Sequence, residues 1–163
     1  MQKTFNLRYF MPSDLQRVMY INRTCLPENY TSFFFLDLYE RFPLTFIVAE
    51  ENGEIVGYIM CRIETGLPNF GFLGLIKKGH VVSIAVLPEH RRKGVGQALM
   101  KEAMKNMRKY DARECYLEVR VSNKPAITLY EKLGFQIVKT LRHYYMDGED
   151  AYVMARKLPI EVE

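Results

Sequence analysis

The chain has 163 residues, of which 48% are hydrophobic and 26% are charged, and its formal net charge is +4 at pH 7. We expect residues 1–163 to form a single domain, because this length supports one core, and the composition excludes a disordered chain. The mildly basic charge fits a polyanionic cofactor, but it is too small to indicate nucleic-acid binding without a basic stripe.

The cysteines and the first residues indicate the cellular setting. Cys25, Cys61 and Cys115 lie far apart among apolar neighbours, which favours reduced thiols in or near the core over disulfides or metal ligands. The start lacks the charged segment, apolar run and cleavage site of a signal peptide, and no stretch has membrane-spanning length. We therefore expect a cytoplasmic protein without a membrane partner.

The first third of the chain predicts a strand followed by two helices. Apolar residues recur at helical spacing after Pro12, and Pro27 cannot continue the helix that they form. The side chain of Thr31 or Ser32 can cap the second helix. The predicted elements are a strand over residues 4–10, a helix over residues 12–25, the loop LPENY over residues 26–30, and a helix from residue 31 to Pro43.

The next segment predicts a hairpin and then a long loop. Two β-rich runs, residues 45–49 and 55–63, are joined through Asn52 and Gly53, which is the strongest short signal for antiparallel neighbours. Residues 64–79 contain four glycines and one proline among apolar side chains. We expect an irregular loop there, either packed beside a substrate or forming a surface hairpin.

A strand, a glycine-rich loop and a helix occupy the centre of the chain. Residues 81–87 form an apolar run typical of a buried strand, and residues 95–110 have helical spacing. Between them, Arg91, Gly94 and Gly96 stand at a spacing that differs from the dinucleotide and Walker loops. Glycines admit a close ligand, and a helix N-terminus attracts an anion. Taken alone, these residues also fit a glycine-rich turn with a solvated basic rim.

The last third predicts a strand, a helix and two more strands. Pro125 suits the first turn of the helix, and Gly134 suits its end. The elements are a strand over residues 114–121, a helix over residues 123–133, and strands over residues 135–141 and 151–158. The full order, β α α β β β α β α β β, predicts one mixed α/β domain.

Two segments carry a family resemblance. Residues 81–100, VVSIAVLPEHRRKGVGQALM, closely resemble motif A of the GNAT acetyltransferases, and residues 119–135, VRVSNKPAITLYEKLGF, resemble their motif B. The resemblance implies the GNAT acyl-CoA N-acyltransferase fold, a central mixed and mostly antiparallel sheet of about seven strands with about four flanking helices. LPENY, GHVVSIAV and YYMDGEDAYVM further resemble the catalytic subunits of N-terminal acetyltransferase A, of the archaeal Ard1-like type.

The resemblance implies acetyl-CoA as the co-substrate and no required metal. The pantetheine arm would pair with the edge of the motif A strand, and backbone amides of the following loop would hold the pyrophosphate. The implied cofactor-binding residues are Ile84, Ala85, Val86, Arg91, Arg92, Lys93, Gly94, Val95, Gly96, Gln97, Asn123 and Tyr130.

Four residues are predicted to be catalytic, and the choice of base among three of them stays open. The resemblance implies that Tyr130 protonates or hydrogen-bonds the departing thiolate and that Glu28 assists the reaction. A buried packing tyrosine and an exposed loop carboxylate are the alternatives. His80 and Glu118 lie on two splaying strands, where they could face each other and pass a proton through water. Two such ligands are too few for a catalytic zinc site.

The implied substrate is a protein N-terminus with a free α-amine, with Ser, Ala, Thr and Gly starts favoured and Met starts also considered. Because Tyr144 and Tyr145 are taken as neighbours in a strand, only one of them should point inward. Arg120 could hold the carboxylate of Glu118 or Glu28. The predicted substrate-binding residues are Leu26, Pro27, Glu28, Tyr30, Arg120, Tyr144 and Tyr145.

Other acceptors and partners fit the same motifs. A ribosomal-protein alanine, a lysine or a small-molecule amine could be the acceptor, since a fold does not fix it. A non-catalytic acyl-CoA-binding subunit is the alternative from another functional class. Nascent chains are the expected partners, and association with the ribosome or an auxiliary subunit is also open.

Overall fold

The computed structural model describes residues 4–72 and 74–160. Short 3₁₀ turns at Pro12–Asp14, Pro43–Thr45, Pro88–His90 and Arg108–Tyr110 adjoin the main elements. These elements are β1 (Asn6–Tyr9), α1 (Leu15–Cys25), α2 (Ser32–Arg41), β2 (Phe46–Glu51), β3 (Glu54–Gly66), β4 (Ile76–Val86), α3 (Val95–Met107), β5 (Glu114–Arg120), α4 (Lys124–Lys132), β6 (Gln136–Leu141) and β7 (Ala151–Lys157). The predicted element order is confirmed.

The seven strands form one mixed sheet in the order β1-β2-β3-β4-β5-β7-β6. Only the β4–β5 pair is parallel, and α3 makes the crossover between these strands. Side chains of α1 and α2 pack on one face of the sheet, and side chains of α3 and α4 pack on the other. The predicted mixed and mostly antiparallel sheet with four helices is therefore confirmed.

Local chemistry explains several element boundaries. Asn52 and Gly53 both have positive φ, 54° and 79°, as a two-residue type I′ hairpin turn requires. The side chain of Thr31 accepts a hydrogen bond from the amide of Phe34 and caps α2. Asn123 caps α4 in the same way. These caps satisfy amides that have no partner inside their helices.

The prediction of an irregular loop over residues 64–79 is wrong at both ends. β3 continues to Gly66 and β4 starts at Ile76, so the loop covers only residues 67–75. Its described residues line no part of the main cavity and border a separate cavity of about 300 Å³. Of the two alternatives, the structure therefore has the surface hairpin. Glycines inside a strand concealed the strand pattern.

Gly79 illustrates why a glycine stands inside a strand. A methyl group on its Cα would overlap the thioether of Met107 on α3, with the Met107 Cγ and Cε atoms 2.8 Å away. We expect Gly79→Ala to lower the free energy of unfolding by about 1–3 kcal/mol, the usual cost of overpacking a core. Urea denaturation measures this change.

Gly66→Ala is the matched control in the same hairpin. A methyl group there would lie 3.5 Å from the Lys78 side chain, which is ordinary van der Waals contact. We expect its stability to stay close to that of the wild type. Equal stabilities of the two variants would contradict the assigned role of Gly79.

The sheet opens between β4 and β5. The strands pair only from Lys78 with Glu114 to His80 with Tyr116, and they separate beyond that point. Val82 of β4 has no partner residue in β3. Met60 pairs with Ser83, and the next β3 residue, Cys61, pairs with Val81. Such a β-bulge bends its strand. The bend therefore occurs where β4 leaves β5.

Candidate active site

A cavity of about 560 Å³ occupies the gap between β4 and β5. Its walls also include the loop between α1 and α2 and the loop between β6 and β7. The predicted site residues that line it are Leu26, Pro27, Glu28, Tyr30, His80, Ile84, Glu118, Arg120, Asn123, Tyr130, Tyr144 and Tyr145. The structure therefore brings together predicted residues that lie far apart in the sequence.

His80 and Glu118 meet at the closed end of the gap. The His80 Nε2 atom lies 2.7 Å from Glu118 Oε1, a hydrogen-bond distance. The imidazole is buried and stacks parallel to the ring of Tyr116, with 4.4 Å between the ring centres. An imidazole hydrogen-bonded to a carboxylate is an arrangement that general acid–base catalysis uses.

Arg120 joins the two loops across the cavity. Its guanidinium donates to Glu28 Oε1 at 2.8 Å, and to Asp147 and Glu149 at 2.8 and 2.9 Å. The ring of Tyr145 lies 4.0 Å from the guanidinium carbon. Of the two predicted partners of Arg120, the structure pairs it with Glu28. Three carboxylates around one guanidinium leave a cluster with net negative charge, which can attract a cationic group.

Three tyrosines line the outer part of the cavity. Tyr144 and Tyr145 lie in the loop between β6 and β7, and their rings pack edge to face with centres 5.0 Å apart. Both line the cavity, so the prediction that only one can point inward is wrong, because it assumed a strand. The Tyr30 hydroxyl donates to the carbonyl of the bulge residue Val82 at 3.4 Å.

Tyr130 reaches the cavity from α4. The residue is 7% exposed, and its ring packs near Phe135, with ring centres 5.9 Å apart. Burial raises the pKa of Tyr130 to about 12. The hydroxyl therefore stays protonated at neutral pH and can donate a hydrogen bond into the cavity. Packing and proton donation are compatible at this position.

Two residues of β4 turn their backbone groups toward the gap, and the carbonyl of one of them, Val86, already accepts a hydrogen bond from Arg91 Nε. The Leu87 amide donates to Val56 on the β3 side, and antiparallel pairing alternates, so Ala85 also faces β3. Ile84 and Val86 therefore turn their backbone groups toward the gap. Ala85 was predicted to belong to this edge, but its backbone faces β3 and its side chain is buried.

The predicted phosphate loop connects β4 to α3. Gly94 precedes the helix with φ of 84°, in the left-handed region that glycine favours. The Arg91 side chain donates to the Val86 carbonyl at 2.9 Å, and the Lys93 ammonium lies 2.9 Å from Glu51. Hydrogen bonds from Lys93 and His90 hold the pKa of Glu51 below its usual value. These contacts tie the loop to β4 and to the β2–β3 hairpin.

The other predicted loop residues fall into two groups. Val95 is buried in the core, so only its backbone can serve a ligand. Arg92 has φ of 64°, and the side chains of Arg92 and Gln97 are exposed. The amides at the start of α3 have no partners inside the helix, which makes this end suited to an anion.

Comparison with known proteins decides the family. Residues 15–135 match the acetyltransferase (GNAT) family. The chain belongs to this family. An N-alpha-acetyltransferase of Sulfurisphaera tokodaii is 55% identical over 158 residues, which are 96% of this chain and 95% of that relative.

Two solved structures extend the likeness to the whole GNAT fold. Ard1 from Thermoplasma volcanium is 33% identical, with a TM-score of 0.82, over 96% of this chain and 99% of that chain. Arabidopsis thaliana NAA60, solved in complex with acetyl-CoA, is 25% identical, with a TM-score of 0.82, over 95% of this chain and 100% of that chain. The implied GNAT fold and the resemblance to Ard1-like enzymes are confirmed.

GNAT acetyltransferases use acetyl-CoA, and the residues present fit it. The open β4 edge can pair with the amide groups of a pantetheine arm, and the start of α3 can bind a pyrophosphate. Within residues 4–72 and 74–160, no group of three or more His, Cys, Asp or Glu side chains could hold a metal ion. No helix in these ranges has the length and apolar character needed to cross a bilayer.

Sequence reasoning missed the residue that anchors the LPENY loop. Asn22 on α1 is buried, and its amide donates to the Glu28 carbonyl and the Tyr58 hydroxyl, both at 3.1 Å. Its oxygen accepts from the Tyr30 amide at 3.3 Å, and Tyr58 in turn contacts Ser83 on β4 at 2.7 Å. The signal was present, because Asn22 is a polar residue on the apolar face of α1.

Gly96 offers a direct test of the phosphate loop. A methyl group there would meet only Leu129, at 3.6 Å, so the fold has room for an added Cβ atom. We expect Gly96→Val to weaken acetyl-CoA binding at least about tenfold, or about 1.4 kcal/mol, because the side chain would block close approach to the amides. Isothermal titration calorimetry measures the dissociation constant.

Lys101→Val places the same β-branched residue further along α3, at an exposed position. We expect this control to bind acetyl-CoA as the wild type does. Wild-type affinity in a folded Gly96→Val protein would contradict the placement of the pyrophosphate.

Proposed function

We propose that this protein transfers the acetyl group of acetyl-CoA to the free α-amine of protein N-termini, by direct attack of the amine on the thioester. The observation that carries the proposal is the His80–Glu118 pair at the closed end of a gap whose β4 edge is open. The 55% identity with an N-alpha-acetyltransferase supports the same acceptor.

Of the candidate acceptors, the α-amine needs the least help from a general base. Its pKa is near 8, so about a tenth of it is neutral at pH 7, whereas a lysine amine has a pKa near 10.4. The negative cluster around Arg120 favours the approach of a charged N-terminus. The His80–Glu118 pair then needs to remove one proton from an amine that is already partly neutral.

The reaction releases one proton for each acetyl group transferred. The ammonium form of the amine loses a proton to the His80–Glu118 pair and attacks the thioester carbonyl as a neutral nucleophile. The nitrogen loses its second proton as the amide forms, and the departing thiolate gains one. Tyr130, whose pKa of about 12 keeps it protonated, donates to the sulfur as charge develops there.

Two matched peptides test this function. One carries a free Ser α-amine and no lysine, and the other carries a blocked α-amine and one lysine. We expect steady-state turnover with acetyl-CoA on the first peptide only. Turnover on the blocked peptide at a similar rate would overturn the N-terminal assignment in favour of a lysine acceptor.

We further propose that Glu28 favours Ser, Ala, Thr and Gly at the first substrate position. A long apolar side chain would have to remove water from the Glu28 carboxylate, which is costly. We expect Glu28→Val to change the ratio of specificity constants for Ser-starting against Met-Leu peptides about tenfold in favour of Met-Leu. Competition of both peptides in one reaction measures this ratio directly.

Asp147→Asn is the control for the Glu28 variant. It removes another charged partner of Arg120 and leaves the Glu28 carboxylate in place. We expect it to lower both specificity constants together or leave both unchanged. The specificity role would be wrong if Glu28→Val also left the product ratio unchanged.

Cellular context belongs to the same proposal. Nascent chains are the natural source of free N-termini, and N-terminal acetyltransferases of the NatB and NatC types have been solved as complexes. We propose that this protein acts in the cytoplasm on nascent chains and that an auxiliary subunit or the ribosome can recruit it. Cosedimentation with ribosomes tests the last point.

A further inference from the structure

The sheet face that carries His80 continues past the closed end of the cavity. Lys78, Glu114 and Lys157 are paired in register on β4, β5 and β7, so their side chains point to one face. His80 follows Lys78 by two residues on β4 and shares that face. Gly79, between them, faces α3 on the other side of the sheet. The catalytic pair and the two lysines therefore lie on the same surface.

Aromatic rings lie between the catalytic pair and these lysines. The ring of Tyr116 stacks on His80, and its centre lies 4.8 Å from the ammonium of Lys78. That ammonium also donates to a carbonyl of the loop between β3 and β4 at 3.0 Å. The ring of Phe70, in the same loop, lies 6.0 Å from the ammonium of Lys157. Contacts thus lead from His80 to both lysines.

Arg113 joins the two lysines in a basic patch, defined by Lys78, Arg113 and Lys157. The Arg113 carbonyl accepts a hydrogen bond at 2.9 Å from the amide of Leu158, the residue after Lys157. Arg113 and Lys157 are exposed, and both border the cavity of about 300 Å³. Across residues 4–72 and 74–160, none of the three cations forms an ion pair with a carboxylate. The patch can therefore receive an anionic ligand.

Glu114 is the carboxylate that lies in register with this patch, and internal hydrogen bonds occupy it. The residue is 2% exposed. Its oxygens accept from the backbone and side-chain amides of Asn69 at 2.9 and 3.1 Å and from the amide of Phe70 at 3.0 Å. Glu114 thus fixes the loop above the patch. Its single charge leaves the patch of three cations with a net positive charge.

The surface has opposite charges at its two ends. At one end, the carboxylates of Glu28, Asp147 and Glu149 surround Arg120, near the place of the substrate amine beside Glu118. At the other end lies the basic patch. A chain that starts with an ammonium group and carries carboxylates a few residues later matches both ends.

We propose that the basic patch binds acidic side chains of the substrate a few residues behind its N-terminus, so that the enzyme favours protein N-termini with Asp or Glu there. The inference rests on the proposed function. Glu114 precedes Glu118 by four residues on β5, which is about 13 Å of strand. An extended substrate advances about 3.3 Å per residue, so about positions 4–8 can reach the patch.

A nucleic-acid phosphate is the other anion that three cations could meet. The footprint of a nucleic acid is a longer basic stripe, whereas this patch is small. It also borders apolar walls formed by Phe70, Ile76 and Leu158, which suit the side chains of a peptide. Its position on the same surface as the catalytic pair favours the substrate as the ligand.

Competition between two peptides tests the proposal. Both begin with Ser-Ala-Gly and lack lysine; one carries Asp and Glu at about positions 4–8, and the other carries Asn and Gln there. We expect the wild type to have a specificity constant about fivefold higher for the acidic peptide, since one exposed ion pair contributes up to about fivefold. Raising NaCl from about 0.05 M to about 0.5 M should remove most of this preference. Equal constants at low salt would overturn the proposal.

The double variant Arg113→Gln/Lys157→Gln tests the patch itself. We expect its preference for the acidic peptide to fall below about twofold, because two of the three cations are gone. Lys101→Gln/Lys132→Gln is the matched control, which removes the same charge at exposed positions of α3 and α4, on the other face of the sheet. We expect the control to keep the preference of the wild type. An equal fall in both double variants would overturn the patch as the binding site.

An RNA oligonucleotide of uridines supplies the last arm. If the wild type showed no peptide preference, and Arg113→Gln/Lys157→Gln lost an RNA affinity that the wild type has, the substrate proposal would be overturned in favour of a phosphate ligand. The two proposals fail in different ways. Equal acetylation of both peptides removes this inference alone, whereas absent α-amine acetylation of both removes the proposed function and this inference with it.

Discussion

Replacing Glu118 by glutamine is expected to lower kcat for a Ser-starting peptide about 100-fold at pH 7, since general-base assistance contributes about that much or more. Glutamine keeps the size of the side chain but cannot share a proton with His80. The loss should shrink toward pH 9, because the substrate amine, with a pKa near 8, is then mostly neutral without help. A pH series of kcat measures both effects.

Glu131→Gln serves as the control for this series. Glu131 is an exposed carboxylate on α4, outside the residues that line the cavity. We expect it to keep wild-type kcat at every pH. A Glu118→Gln loss that stays constant from pH 7 to pH 9 would show that Glu118 does not assist deprotonation.

Tyr130→Phe is expected to lower kcat about 100-fold while acetyl-CoA affinity stays nearly unchanged, because the hydroxyl acts on charge that develops only in the transition state. The ring remains, so its packing near Phe135 is kept. The loss should appear equally in kcat and kcat/KM. Pre-steady-state kinetics shows whether chemistry limits the rate.

Tyr110→Phe removes a tyrosine hydroxyl away from the cavity, where it accepts a hydrogen bond from the Leu44 amide at 3.0 Å. We expect some loss of stability and no loss of turnover. If Tyr130→Phe kept wild-type turnover with chemistry rate-limiting, Tyr130 would be a packing residue only.

The element order could be predicted because its signals are local. Helical and alternating apolar patterns, the Asn52-Gly53 turn and the caps at Thr31 and Asn123 each act over a few residues. Motifs A and B then fixed which strands would splay. The predicted GNAT fold followed from these together.

The errors came from glycines and from loop context. Gly79 marks a strand position where Met107 leaves no space, and this is visible only when α3 is in place. Tyr144 and Tyr145 look like a strand pair in the sequence, but the turn that contains Gly148 leaves both in the loop. Tertiary packing decided each case.

Most of the site residues that the sequence did not predict lie far from their partners along the chain. Glu64 and Tyr116 come close to His80 because strand pairing places β3 and β5 on either side of β4. No short-range pattern signals such a meeting. Asn22 is different, because a polar residue at a core position of α1 could have been noticed.

One peptide tests the central claim most directly. It begins with a free Ser α-amine and carries one lysine further along, so both acceptors compete at equal concentration in one reaction with acetyl-CoA. Fragmentation mass spectrometry locates the acetyl group in the singly acetylated product. The account predicts an acetyl group on the Ser α-nitrogen, and an acetyl group on the lysine side chain would contradict it.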